Sequence, residues 1–256
     1  CMNKVPKASF AVVKNDRVFY SGIREQPEMV YYSQIMDPAD VSNTVNDSVH
    51  GSGSTTTGGG GVFRIPGGEV TGLALFQESL IIFQRYGVYR LTGLLYSEWE
   101  LKPIDAADGC VAHGGIVIGN NVLYYSSPDG IRYLTSPFED RVESRSLSDV
   151  LGRNMTLAGQ LHYSRGILYV VRYNEIYVYY SEFGAWSYWD VDSYNSFLYN
   201  DELQLVTNNG HVCVLADGQL YDESISGTKT PIEARYVTPY YHFNSPERTK
   251  RYRMIK

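Results

Sequence analysis

The stretch LIIFQRYGVYRLTG, residues 80–93, decides the fold because a short turn ending in Gly87 joins two apolar or aromatic runs within it. Runs of β-branched and aromatic residues on either side of a glycine-containing turn predict a β-hairpin. The same plan occurs in four other segments: RVFYSGIREQPEMVYYSQ (17–34), VLYYSSPDGIRYLTS (122–136), ILYVVRYNEIYVYYSE (167–182) and LQLVTNNGHVCVLADG (203–218). The hairpin is therefore one copy of a repeat.

The spacing of the copies predicts the fold class. Their second strands align on Val30, Val88, Ile131, Ile176 and His211, which gives steps of 58, 43, 45 and 35 residues. A period of about 40 residues with several strands in each repeat is typical of propeller blades. Each copy also follows a strand-like segment of its own. The sequence predicts an all-β fold: a β-propeller of five blades, with six as the alternative, each blade made of three to four antiparallel strands.

Domain organisation follows from the same repeats. Residues 1–230 are predicted to form the propeller, and the polar, Gly-rich segment at about 37–61 is predicted to be a flexible insertion between blades. Residues 231–256 are interpreted as a closing strand or the entry into a further β-domain that is cut off. Since Cys1 precedes Met2 and the chain stops within a strand-like alternation, we interpret it as a piece of a longer polypeptide.

Charge and hydropathy narrow the classes of partner. The net charge of −6 disfavours nucleic acid as the main partner, because affinity for phosphates comes mostly from clustered Lys and Arg. No apolar run approaches the ~20 residues that a membrane-spanning helix needs. Basic residues gather near the end of the sequence, and four are candidate interface residues: Arg248, Lys250, Arg251 and Arg253. The alternative is that they are solvated strand residues that guard an exposed edge.

No motif in the sequence predicts catalysis, a cofactor or a metal site. Two Cys/His pairs occur, but structural zinc sites need about four ligands, so we interpret them as chance pairs: Cys110 with His113, and His211 with Cys213. Asp105 and Asp108 could form a carboxylate pair for glycosidic chemistry. The alternative is that they cap turns by binding nearby backbone amides, and the sequence favours this second interpretation.

Aromatic residues are the strongest compositional feature, with 23 Tyr in 256 residues. Exposed Tyr and Trp can stack on sugar rings or anchor protein interfaces, and in strands they also pack between blades. The candidate stacking or interface residues are Trp186, Trp189, Tyr240 and Tyr241. Trp186 and Trp189 are also the best candidates for a plug between blades. A carbohydrate- or receptor-binding, lectin-like propeller is therefore the alternative function.

Taken in order, five stretches resemble the propeller part of the nozzle, or stabilisation, proteins of bacteriophage tails, which are tail tubular B-like proteins. They are KASFAVVKNDRVFYSG (7–22), EMVYYSQIMDPADVS (28–42), GGEVTGLALFQESLIIFQRYGVYRLTG (67–93), DGCVAHGGIVIGNNVLYYSSPDGIRYLT (108–135) and ARYVTPYYHFNSPERTKRYRMIK (234–256). Nozzle proteins carry further β-domains beyond their propeller, so this chain is short for the family. The resemblance is compatible with a position of the chain in the nozzle, in the neck or in the tail hub.

The resemblance implies a structural virion protein without catalysis. It implies a ring, expected to be hexameric, around the DNA-exit channel, with an adaptor, fibres or tip proteins as partners. It also implies transient contact with phage DNA during ejection, and assembly in the host cytoplasm. A negatively charged channel lining would fit this role, because like charge lets DNA slide.

Overall fold

The computed structural model describes residues 5–42, 59–94, 96–106, 108–136, 145–146, 159–191, 193–214, 221–223 and 229–231. The described elements are strands, turns and two short 3-10 helices, Tyr96–Glu98 and His113–Gly115. The chain divides into two compact units, Cys1–Leu215 and Ala216–Lys256. Within the described residues of the second unit, one antiparallel pair is formed, by β20 (Tyr221–Glu223) and β21 (Lys229–Pro231).

The described residues of the first unit form five antiparallel sheets, A to E, in which strands follow each other in chain order. Sheet A comprises β1 (Phe10–Lys14), β2 (Arg17–Ser21), β3 (Met29–Tyr32) and β4 (Gly61–Arg64). Sheet B comprises β5 (Val70–Phe76), β6 (Ser79–Gln84), β7 (Val88–Thr92) and β8 (Glu100–Ile104). Sheet C comprises β9 (Ile116–Gly119), β10 (Val122–Ser127), β11 (Gly130–Leu134) and β12 (Arg145–Ser146). Sheet D comprises β13 (Gln160–Ser164), β14 (Ile167–Arg172), β15 (Glu175–Tyr180) and β16 (Ala185–Asp190). Sheet E comprises β17 (Asn195–Tyr199), β18 (Glu202–Val206) and β19 (Val212–Val214).

A two-residue turn with positive φ at both positions joins the first and second strands of every sheet. The five turns are Asn15-Asp16, Gln77-Glu78, Asn120-Asn121, Arg165-Gly166 and Asn200-Asp201. Positive φ at both central residues defines the type I′ turn, whose twist matches that of the strands it connects. Asn and Asp tolerate this conformation well, which explains why they occupy most of these positions.

Consecutive sheets meet at their first strands. Strand β1 contacts β5, β5 contacts β9, β9 contacts β13, and β13 contacts β17. The strands are crowded here: a Cβ atom added to Gly72 of β5 would lie 2.3 Å from Cδ1 of Ile116 on β9. This close approach explains the small residues in the first strands, and it is the arrangement expected of blades that converge on a common axis.

The opening stretch occupies the centre of sheet B. All six residues of β6 are buried, because the sheet is covered on both faces. Leu80 and Ile82 pack in a cluster with side chains of sheet A, whereas Ile81 and Phe83 pack in a cluster with side chains of sheet C. Since successive side chains of a strand point to opposite faces, a continuous apolar run is what a strand covered on both sides requires.

Four apolar clusters connect the five sheets in sequence. The A–B cluster includes Phe19, Val30, Leu73, Leu80 and Ile82. The B–C cluster includes Phe76, Ile81, Phe83, Leu123 and Tyr125. The C–D cluster includes Tyr124, Ile131, Leu161, Leu168 and Val170, and the D–E cluster includes Val171, Ile176, Val178, Leu203 and Leu205. Full burial of one such side chain contributes about 1.5–3 kcal/mol, so each cluster is a major stabilising feature.

The long polar insertion lies inside a blade, and the prediction that it separates two blades is wrong. Strand β3 pairs with β4 in sheet A, and the insertion connects these two strands. A repeat aligned on hairpins could not show this, because the pairing partner of β3 lies after the insertion. Of the segment at about 37–61 that is predicted to be flexible, residues 43–58 lie outside the described part. The same holds for residues 232–256 of the segment 231–256, where the closing strand or further domain is predicted.

Arg17 links the two ends of this insertion. Its side chain is buried, and Nη1 donates hydrogen bonds of 2.6 Å to the carbonyl oxygens of Ser33 and Gly59. The guanidinium also lies 5.5 Å from the ring centroid of Tyr32 and 5.8 Å from that of Trp99, within the range of cation–π attraction. One buried cation therefore fixes where the chain leaves and re-enters sheet A.

We expect Arg17→Met to destabilise the protein. The substitution keeps much of the apolar stem but leaves two carbonyl oxygens without this donor, at a cost of about 2–3 kcal/mol. Urea unfolding measures the change, and Arg24→Met, at an exposed position, is the matched control. Equal stability of the two variants would contradict the role assigned to Arg17.

Candidate functional site

The two predicted stacking tryptophans in the described part lie on β16 and point to opposite faces of sheet D. Trp186 packs at the C–D cluster, with its ring centroid 4.9 Å from that of Tyr179. Trp189 packs at the D–E cluster, 6.3 Å from Tyr169. Both are half-buried, so the structure separates them and gives each a packing role between sheets. The other predicted site residues lie outside the described part: Tyr240, Tyr241, Arg248, Lys250, Arg251 and Arg253.

A groove lined by four tyrosines lies between sheets C and D. We call it the tyrosine groove. Its volume is about 800 Å³, and its lining comprises Tyr124, Tyr133, Tyr163, Tyr179, Asn120, Val122, Arg165, Gly166, Ser181 and Glu182. Pockets of this size with an aromatic lining and a few polar groups are typical of small-ligand sites. It is the best candidate for a binding site in the part of the chain that the structure describes.

The tyrosine rings are held by strand register within each sheet and by stacking between sheets. Tyr124 on β10 lies directly opposite Tyr133 on β11, with ring centroids 6.2 Å apart. Across the groove, the Tyr124 ring stacks on that of Tyr163, at 5.8 Å and an interplanar angle of 15°. Two sheets therefore contribute two tyrosines each, and the sides of the groove are parts of rigid strands.

The close approach of sheets C and D depends on Gly119. A Cβ atom at this position would lie 2.0 Å from Cδ1 of Tyr163. Glycine therefore lets the Tyr163 ring pack directly against the backbone at the end of β9, where any larger residue would push the ring aside. The position of Tyr163 in the groove follows from this contact.

Burial and the neighbouring phenols raise the pKa values of the groove tyrosines. Burial is the main cause that raises the pKa of Tyr124 to about 12, and Tyr163, Tyr179 and Tyr133 add to it. Burial, followed by Tyr133, also raises the pKa of Tyr179. Both phenols are therefore neutral at physiological pH, and each can donate and accept hydrogen bonds.

A second cavity, of about 700 Å³, lies between sheets A and B and the segment 111–113 that precedes β9. Its walls include Phe10 and His113, whose rings stack at 4.7 Å, and the β6–β7 turn residues Arg85 and Tyr86. Burial lowers the pKa of His113. Because His113 packs on an aromatic ring, its placement is structural.

The candidate acidic pair is not assembled as a carboxylate pair. Asp108 faces Arg132, with 3.9 Å between the carboxylate and the guanidinium, while Asp105 is exposed. Arg132 also forms a bidentate contact with Asp129, in which Nε lies 2.9 Å from Oδ1 and Nη2 pairs with Oδ2. The hydrogen bond from Arg132 is the main cause that lowers the pKa of Asp129, whereas burial and the charge of Asp129 raise that of Asp108.

The Cys110 thiol is enclosed between sheets B and C. It donates a hydrogen bond to the carbonyl oxygen of Ala112 at 3.1 Å, and burial raises its pKa to about 12. A thiol with such a pKa stays protonated and makes a poor nucleophile. Among the described residues, no cluster of three or more His, Cys, Asp or Glu side chains could hold a metal ion. The described residues also contain no helix long and apolar enough to cross a membrane.

Comparison with solved structures shows the fold. The chain matches PorZ, a surface component of the type-IX secretion system of Porphyromonas gingivalis, with a TM-score of 0.50 and 13% identity over 90% of this chain and 28% of PorZ. It matches the extracellular domain of BT4673 from B. thetaiotaomicron (TM-score 0.49, 12% identity, 88% and 28% coverage) and Hsv2 of Kluyveromyces lactis (0.45, 12%, 82% and 61%). No family model and no curated protein matches the chain.

PorZ is a β-propeller protein, and the likeness at this identity concerns the fold alone. Together with the five consecutive sheets, it establishes that this chain is an all-β propeller module. The chain spans less than a third of the length of PorZ. The number of blades in the complete propeller stays a prediction.

We expect the contribution of Asp129 to stability to depend on pH. Its folded-state pKa lies below the ordinary value of 3.8, so the stabilisation is present above that value and is lost as the pH falls through the lowered pKa. Asp129→Asn should cost about 1 kcal/mol at pH 7, given that the carboxylate is partly exposed, and less at pH 3 and below. Urea unfolding across this range, with the exposed Asp105→Asn as control, measures it. A cost that is independent of pH would contradict the ion pair with Arg132.

Proposed function

We propose that the chain is a non-enzymatic structural component of a bacteriophage tail, in the nozzle, neck or tail hub. In this role it forms part of a ring around the DNA-exit channel and connects neighbouring tail proteins. The observation that carries the proposal is the coincidence of the resembling stretches with the blades. The first stretch covers β1 and β2, the stretch at 67–93 covers β5 to β7, and the stretch at 108–135 covers β9 to β11. These three resembling stretches therefore coincide with consecutive strands of sheets A, B and C.

The packing and hydrogen bonding of side chains in the described part support a scaffold role. Apolar clusters join every consecutive pair of the five sheets. The buried charged groups Arg17 and Arg132 bind backbone carbonyls and carboxylates of the same unit. A packed, cross-connected propeller of this kind can transmit load between neighbours without changing shape.

Exposed apolar side chains on the first and fifth sheets supply contact surface for neighbouring copies. Val13 on β1 and Val62 on β4 are 59% and 46% exposed, and Phe197 and Tyr199 on β17 are 41% and 64% exposed. We assign these residues to contacts between copies of the chain, because they belong to the same β-branched and aromatic rows that pack between sheets elsewhere. Transient contact with DNA and placement in the virion belong to the same proposal.

A carbohydrate- or receptor-binding module is the second candidate function. The tyrosine groove favours it, since aromatic rings with polar tips suit sugar recognition. The tryptophans do not, because Trp99 and Trp186 pack inside inter-sheet clusters.

We expect the purified chain, alone or mixed with adaptor and fibre proteins of the same tail, to form rings with a central pore. Light scattering after size exclusion should give six times the chain mass of 28.9 kDa, and negative-stain electron microscopy should show the pore. Replacing Phe197 and Tyr199 with Ser should weaken assembly, whereas Tyr86→Ser, at another exposed position, should not.

A chain that stays monomeric with all tail partners, or rings that tolerate the double substitution as well as the control, would contradict this account.

A further inference from the structure

We propose that the tyrosine groove is a binding site for a neutral oligosaccharide, which would enter between sheets C and D with its sugar rings against the tyrosine side chains. This inference goes beyond the proposed tail role and does not depend on it. It rests on the phenolic hydroxyl groups of the lining, on flat ring surfaces and on balanced charge, which are three separate properties of the groove.

The first property is the set of phenolic hydroxyls that the lining tyrosines bring to the groove. Tyr124 is only 5% exposed and lines the groove, yet among the described residues its hydroxyl has no hydrogen-bond partner. The hydroxyls of Tyr133 and Tyr179 likewise have none within the described part, and that of Tyr163 lies 3.4 Å from the Ser181 hydroxyl. Each phenolic hydroxyl can both donate and accept a hydrogen bond, so a polyhydroxylated ligand in the groove can pair with these groups.

The second property is the shape of the aromatic surface. Two tyrosines from each sheet form the lining, and the Tyr179 ring contacts that of its cross-strand neighbour Trp186, with ring centroids 4.9 Å apart. A pyranose ring has apolar C–H faces and a polar edge of hydroxyls. It therefore matches a site in which ring faces and phenolic hydroxyls alternate. A volume of about 800 Å³ is within the range of sites for small ligands, and it admits more than one sugar ring.

The third property is the composition of the rim. Arg165 and Glu182 carry opposite charges, both are exposed, and within the described residues neither forms an ion pair or hydrogen bond. Asn120 and Ser181 add neutral polar groups. Because the two formal charges cancel, the rim favours a neutral ligand over an acidic one, and its groups supply both donors and acceptors.

The backbone around the groove disfavours an extended peptide as the ligand. Peptides commonly bind by adding a strand to a free sheet edge. Here β10, β11 and β15 are each paired on both sides, whereas among the described strands β13, which carries Tyr163, pairs with β14 alone. At the three strands that are paired on both sides, recognition must come from side chains, which suits a polyhydroxylated ligand.

The test uses maltotriose, cellotriose and triacetylchitotriose as probes, with saturation-transfer NMR to detect contact and calorimetry to measure Kd. We expect at least one probe to bind. Tyr124→Phe, which keeps the ring and removes the hydroxyl, should weaken binding about tenfold, the equivalent of one lost hydrogen bond. Tyr179→Ala, which removes a ring, should weaken it by at least as much. Tyr173→Phe, at an exposed position outside the groove, is the matched control and should leave Kd unchanged.

Two results would overturn the proposal. One is the absence of binding of all three saccharides at millimolar concentration by the folded chain. The other is binding that the groove variants and the control alter equally, which would place the sugar elsewhere. Thermal unfolding of each variant confirms that it is folded. If Tyr179→Ala does not fold, Tyr124→Phe still tests the proposal, because it keeps the packing of the aromatic ring.

The ring assay separates this proposal from the tail role. The Tyr124→Phe variant should form rings like the unmodified chain even if it no longer binds sugar. A chain that forms rings but binds no sugar would reject the groove proposal alone.

Discussion

Face-to-face packing of consecutive sheets is the constraint on which the rest of the structure depends. A β-sheet with apolar faces must bury them against another element, and this burial is the dominant favourable contribution to folding. Sheet B shows the consequence, since Leu80 and Ile82 face sheet A while Ile81 and Phe83 face sheet C. Crowding at the first strands and the tyrosine groove both follow from bringing such sheets together at a regular spacing.

The repeating core of the blades could be predicted from the sequence, but the outer strands could not. The first three strands of each sheet carry apolar alternation and turn residues, and these patterns located them correctly. Strand β8 (ELKPI) is mostly exposed and contains Pro103, so its sequence lacks the apolar alternation that predicts a strand. Strand β4 follows the long insertion, and only its pairing with β3 in space reveals that the insertion belongs to one blade.

Of the candidate site, only the type of residue, tyrosine, could be predicted from the sequence. Tyr124 and Tyr125 are adjacent, and the two-residue period shows that they point to opposite faces. The structure alone shows that Tyr125 meets Phe83 of sheet B while Tyr124 meets Tyr163 of sheet D. The groove combines four strands from two sheets, and no local pattern brings them together. Trp186 and Trp189 were conspicuous in sequence, yet they serve the packing that holds these sheets in place.

The central claim, that consecutive sheets are joined by specific side-chain packing, is tested most directly by a double-mutant cycle across sheets B and C. Phe83 and Tyr125 are both fully buried, with ring centroids 5.0 Å apart. The unfolding free energies of Phe83→Leu, Tyr125→Leu and the double variant give their interaction energy. The account predicts coupling of about 0.5–1.5 kcal/mol. A coupling within about 0.3 kcal/mol of zero, the level at which independent sites add, would contradict it.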